Sequence, residues 1–223
     1  MLESKILELK QMLLTEAGLV EKMATLAADG LYSRQNGLLR IVNEYEDRVN
    51  QLELEIENKC IAAIALYQPE AKDLRKIVMI LKINNDLERL GDQAVNIAES
   101  AEHLAGKAVV SQVSELAQMR DAAFAMLKNS LDAFAAENVE ASRAVCDADD
   151  KVDELNRLVY HRLVELIKHD TPLTESCLHL LRVAKNLERI ADLSTNVAEN
   201  TVYLAVGKVI KHHQAEENPP GKT

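Results

Sequence analysis

Tryptophan is absent, and Phe and Tyr make up an aromatic fraction of only 3 %. A core with so few rings has to be assembled from Leu, Ile, Val, Ala and Met. Glycine (7) and proline (4) are equally scarce among the 223 residues, which argues against the turn-rich chain of a β-sandwich or barrel and for long helices. The three cysteines, Cys60, Cys146 and Cys177, are too few and too scattered for a disulfide framework or a zinc-cysteine site, and read as buried reduced thiols. No run approaches the roughly 18 uncharged residues that a membrane span needs. Met1-Leu2-Glu3-Ser4-Lys5 opens directly into a charged amphipathic pattern instead of a secretory leader, so a cytoplasmic location is expected, with membrane association only through a partner. Cationic excess is missing too. A net charge of −10 excludes nucleic acid as the natural partner, because such binding rests on neutralising phosphates. Phosphate-cradling glycine loops and Gly-x-Ser-x-Gly elbows are absent, as are the Glu-x-x-His pairs of di-iron bundles from the helices that matter below, so no catalytic role is expected.

What is present is helical periodicity. Ile6, Leu9 and Leu13, then Val20, Met23, Ala24 and Ala27, mark a first helix, with a turn at Ser33–Gly37. A second runs from about Leu38 to Tyr67 along the stripe Ile41, Tyr45, Val49, Leu52 and Ile56. Gln68-Pro69 ends it, and Pro69 opens a third helix reaching about Leu104. Ser111 is the expected N-cap after a connector. The plan then repeats: a helix from about Gln112 to Ala136, a turn at Asn138, a helix from about Glu140 to Lys168, Thr171-Pro172 as cap and first turn, and a last helix to about Gly207. The fold class predicted is all-α, with two tandem three-helix bundles forming one elongated six-helix body. Residues 1–107 make the first repeat, 108–211 the second, and 212–223 a disordered tail.

The repeat is explicit in Leu87-Glu88-Arg89-Leu90-Gly91-Asp92-Gln93-Ala94-Val95-Asn96-Ile97-Ala98-Glu99 and Leu187-Glu188-Arg189-Ile190-Ala191-Asp192-Leu193-Ser194-Thr195-Asn196-Val197-Ala198-Glu199. Seven of the thirteen positions are identical, and most of those are polar. Asp47-Arg48-Val49-Asn50 matches Asp150-Lys151-Val152-Asp153 at an offset of 103, against 100 for the longer string, which places a three-residue deletion in the loop between the second and third helices of the repeat.

On a helix, Glu88, Asp92, Asn96 and Glu99 share a strip roughly 80° wide, and Glu188, Asp192, Asn196 and Glu199 share another. Like charges at i and i+4 oppose each other by roughly 0.2–0.5 kcal/mol per pair, and a cation between them is the direct remedy. Oxygen-only donors suit hard ions such as Mg²⁺, Mn²⁺, Ca²⁺ or iron. One helix seldom completes a shell, and the middle helices offer Glu46, Asp47 and Asn50 in the first repeat and Asp149, Asp150 and Asp153 in the second. Arg89 and Arg189 read as interhelical salt-bridge partners. His103, His161, His169 and His179 recur in neither repeat and read as surface or interhelical residues, while His212-His213 form an adventitious metal-binding pair.

These strings, together with Gln68-Pro69-Glu70-Ala71-Lys72-Asp73-Leu74-Arg75, resemble the PhoU family of phosphate-transport regulatory proteins over residues 3 to 208. Two departures stand out: Ala191 where the family often has Gly, as at Gly91, and Asn50, which weakens the first middle-helix site relative to Asp153. The resemblance implies a negative regulator of phosphate homeostasis, acting as an adaptor between the ATPase subunit of an ABC phosphate transporter and a phosphate-sensing histidine kinase, and forming a homodimer. It implies bound metal, a divalent or trivalent ion (iron, Mn, Mg or Zn), with Glu88, Asp92, Glu188 and Asp192 as ligands and Asp47, Asp150 and Asp153 as further candidates. Two other readings stand beside it: a carboxylate-bridged metal-dependent oxidase or hydrolase, and metal-free stripes that dock basic partners.

Overall fold

The computed structural model describes residues 2–33 and 37–207. The anticipated turn at Ser33–Gly37 therefore lies partly, and the tail 212–223 wholly, outside the described residues. All regular structure among them is helical: α1 (Leu2–Asp29), α2 (Leu38–Tyr67), α3 (Ala71–Leu104), α4 (Ser114–Ala136), α5 (Val139–Asp147), α6 (Asp149–His169) and α7 (Thr174–Val206), with 3-10 turns at Ala108–Gln112 and Thr171–Leu173.

The two repeats follow the expected plan, with the fifth helix interrupted. At Ala148 the backbone N–H bonds the carbonyl of Val145, three residues back, so the ladder tightens for a residue before α6 resumes. Asp147, Asp149 and Asp150 crowd that point, and Asp is a weak helix former. Other differences are local. The α3 helix begins at Ala71, leaving Pro69 outside it, while Thr171, expected as a cap, is itself the first residue of a 3-10 turn that Pro172 continues and no side chain caps. Ser111 lies within a 3-10 turn and donates to the Ala108 carbonyl instead of capping α4. Asn138 is a true N-cap, its Oδ1 accepting from the Ala141 amide at 3.1 Å. Gly207, at φ +73°, ends α7 in the left-handed region that glycine adopts without cost.

The apolar stripes converge on one core drawn from all seven helices, including Leu13, Met23, Ile56, Ile83, Leu127, Phe134, Val159 and Leu187. Each large aliphatic side chain buried there contributes roughly 1.5–3 kcal/mol. The α3 and α7 helices pack on each other as extensively as α1 packs on α3, so the last helices of the two repeats form the seam that joins them. Asp86 is buried in it, 3.5 Å from Asn200 Nδ2 and 3.8 Å from Arg89 Nη1, and burial pushes its carboxyl up to about 6. Arg89 thus pairs within its own helix, not across helices as its sequence context suggested. Cys60, Cys146 and Cys177 are buried and free, and burial raises the Cys60 thiol to about 12 and that of Cys146 to about 11.

Candidate metal centres on the acidic stripes

The two thirteen-residue strings occupy the middle of α3 and of α7 in nearly the same pattern of exposure. Leu87, Leu90, Gly91, Ile97 and Ala98 are buried, as are Leu187, Ile190, Ala191, Val197 and Ala198, while Asp92 and Asp192 reach solvent and Glu88 and Glu188 are half-buried. The core packing of the helix therefore fixes where the carboxylates emerge. A Cβ at Gly91 would sit 3.7 Å from Met23 and Val49, an ordinary contact, so the Ala at position 191 changes nothing essential.

Stripe one gathers negative charge from three helices. Burial raises the Glu88 carboxyl, and Asp92 and Glu53 push it further. On α2, Glu46 is raised by burial and then by Asp92, Asp47 and Glu99. The order of these pairs, Glu46 with Asp92 and Glu99, Glu53 with Glu88, shows α2 running antiparallel to α3. From α1 comes Glu16, fully buried and with neither carboxylate oxygen hydrogen-bonded. Burial, with Glu53 and Glu88 beside it, raises Glu16 to about 9.

Stripe two is less crowded. Asp192 is raised by burial and by Glu188 and Asp153, against the opposing Lys185 and Arg189. Lys185 also pairs directly with Glu188, one turn along α7. The matching residue in stripe one is Asn85, so that stripe has no such built-in cation. On α2, Glu46 and Glu53 bring carboxylates to stripe one, where Asn50 brings none.

Of the residues anticipated as ligands, Glu88 and Asp92 stand together, as do Glu188, Asp192 and Asp153. Asp47 is exposed beside Glu46, and Asp150 is exposed on α6. Among the described residues, no three stripe carboxylates draw their oxygens to within 4.8 Å of one another. The lower half of stripe one is tied elsewhere, since Arg182 Nη2 of α7 donates to Asn96 Oδ1 (2.5 Å) and Glu99 Oε2 (2.6 Å). Glu16 and Glu53 were missed in the sequence. Glu16 did leave a signal, falling at a core position between Leu13 and Val20 where an apolar residue belongs.

The PhoU domain matches residues 13–101 and again residues 116–201. The chain is 36 % identical over 209 residues to the phosphate-specific transport system accessory protein PhoU homolog of Clostridium acetobutylicum, covering 93 % of this chain and 95 % of that one. The protein of the same description from Aquifex aeolicus is 36 % identical over 210 residues, with 94 % and 95 % covered. The crystal structure of PhoU from Pseudomonas aeruginosa is similar at a TM-score of 0.86 and 30 % identity, over 93 % of this chain and all (100 %) of that one. The phosphate transport system regulatory protein PhoU from Streptococcus pneumoniae gives a TM-score of 0.85 at 26 % identity.

Proposed function

The chain belongs to the PhoU family, and from that premise we propose that it is a cytoplasmic negative regulator of phosphate uptake and phosphate-starvation signalling. The observation that supports this reading is the pair of acidic stripes repeated in register on α3 and α7, on a chain alike to phosphate-transport accessory proteins over more than nine-tenths of its length. Its partners in this reading are the ATPase subunit of an ABC phosphate transporter and a phosphate-sensing histidine kinase. It would contact both without entering the bilayer, and no described helix is long and apolar enough to cross one.

The residues present fit a hard metal ion. The oxygens on stripe one are carboxylates apart from the Asn96 amide, Glu46 and Glu88 hold their protons more tightly through burial and then through the carboxylates beside them, and the buried Glu16 carboxyl has no hydrogen-bond partner. Glu88 and Asp92 would hold the ion in the first repeat and Glu188, Asp192 and Asp153 in the second, with Asp47 and Asp150 at the margins. Bound metal would supply positive charge that draws the spread carboxylates together and turns a repelling acidic face into a defined docking surface. The chain's own part is positional: the apolar face of each motif helix, locked in the core, holds the carboxylates at one height.

A pull-down from phosphate-replete cells, with metal measured on the same sample, tests this. The transporter ATPase subunit and the kinase should be captured with the parent chain, and lost with a folded variant carrying Glu88→Ala, Asp92→Ala, Glu188→Ala and Asp192→Ala. Equal capture by that variant overturns the reading. Sedimentation of the purified chain reads the homodimer directly.

A further inference from the structure

A different donor chemistry lies at the end of the seam, one helical turn beyond Glu99 at the edge of stripe one. His103 stands in the last turn of α3, and Glu175 and His179 stand four residues apart on one face at the start of α7. The two imidazoles stack, ring centroids 3.8 Å apart and planes 20° from parallel. Glu175 Oε1 approaches His103 Nε2 to 3.3 Å. That approach is off the line of a hydrogen bond: buried His103 Nε2 makes none, and neither does buried His179 Nδ1. One ligand atom from each of the three residues falls within 4.8 Å of the others, an arrangement found in no other group of His, Cys, Asp or Glu among the described residues.

A stacked pair of histidines satisfies no polar atom by stacking, and two protonated rings at that distance would repel. The surroundings favour the neutral ring, the form that binds metal. Burial lowers His179's affinity for a proton, and His103, Lys107 and Arg182 lower it further, against Glu175. Lys107 and Arg182 oppose a cation as well, while the Glu175 carboxylate offsets one of those charges. Arg182 is already held by Asn96 and Glu99.

We propose that His103, Glu175 and His179 form a third metal site, separate from the acidic stripes, for a divalent transition metal ion of the Zn²⁺ kind. Two imidazoles and one carboxylate are a donor set that zinc takes readily, with a remaining position for water. Zn–N bonds of about 2.0–2.1 Å lie in the plane of each imidazole, so binding requires the two stacked rings to turn out of their parallel arrangement and bring their nitrogens together. The Glu175 side chain, 71 % exposed, is free to follow. Such an ion bridges the end of the first repeat to the start of the last helix of the second, so it clamps the α3–α7 seam.

The test uses the full chain without an affinity tag, carrying His212→Ala and His213→Ala to remove the tail pair. Zn²⁺ is titrated calorimetrically, and thermal unfolding is followed with and without it. The site predicts that His179→Ala, and independently Glu175→Gln at an exposed position that cannot unfold the bundle, weaken one Zn²⁺ equivalent at least about tenfold. It also predicts that Zn²⁺ raises the Tm of the parent but not of His179→Ala. The variant with all four stripe ligands changed should retain this equivalent, which separates failure here from failure of the stripe reading. Unchanged Zn²⁺ stoichiometry and affinity in both Glu175→Gln and a folded His179→Ala overturns the proposal, leaving a packed histidine pair.

Discussion

Glu16 shows how far a single residue can be read. Its position in the apolar period of α1 predicts burial, yet a lone Glu there carries no duplicate to mark it, and only the folded chain sets it beside Glu53 and Glu88. The folded state keeps Glu16 protonated up to about pH 9, while the unfolded chain releases that proton near 4.5. Its contribution is therefore fully present below the unfolded value and is lost as pH rises toward 9. In chelator, urea midpoints of Glu16→Gln should overtake those of the parent as pH goes from 6 to 9; parallel curves would show that the carboxyl is not held neutral. Gly91 gives a second expectation. With room for a Cβ and the helix interior around it, Gly91→Ala should stabilise by about 0.5–1 kcal/mol in denaturant titration.

The long elements were legible because each buries one stripe, and a stripe at 3.6 spacing is visible without a structure. The loop that carries the change of offset looks different in the two repeats: Gln68–Glu70 joins α2 to α3, whereas Asp170 and the 3-10 turn Thr171–Leu173 join α6 to α7. Breaks and caps were less legible, since they depend on backbone hydrogen bonds that several sequences could make. The interruption at Ala148 and the 3-10 turn around Ser111 follow from which carbonyl each donor reached, and composition does not encode that. The facing residues of α2 were hidden for another reason: periodicity names a face, but the antiparallel register decides that Glu46 and Glu53, more than Asp47, look toward α3. One cap was read from sequence as a turn and proves structural. Asn138→Ala should cost about 1 kcal/mol, measured as a fall in the urea midpoint with unchanged slope.

At the scale of the molecule, duplication gave two repeats but did not show how closely they would be joined. The structure joins the repeats through α3 and α7, with Asp86 buried in their seam, the Arg182 bridge spanning its exposed edge and Lys10 of α1 reaching Glu137 beyond α4 at 2.8 Å. Neither repeat should therefore fold alone: fragments 1–107 and 108–223 expressed separately should be helical by circular dichroism yet unfold without cooperativity, and recover a sharp transition when mixed. Stripe one lacks the cation that Lys185 supplies to stripe two, so the stripes should differ in affinity, the first binding more tightly. The central claim is that these duplicated carboxylates bind metal, and elemental analysis of the untagged chain tests it most directly. The account predicts metal in the parent, reduced by Glu188→Ala with Asp192→Ala, reduced further by Glu88→Ala with Asp92→Ala, and lost from the stripes when all four are changed in a still-helical chain. Metal content unchanged by all four substitutions would contradict it.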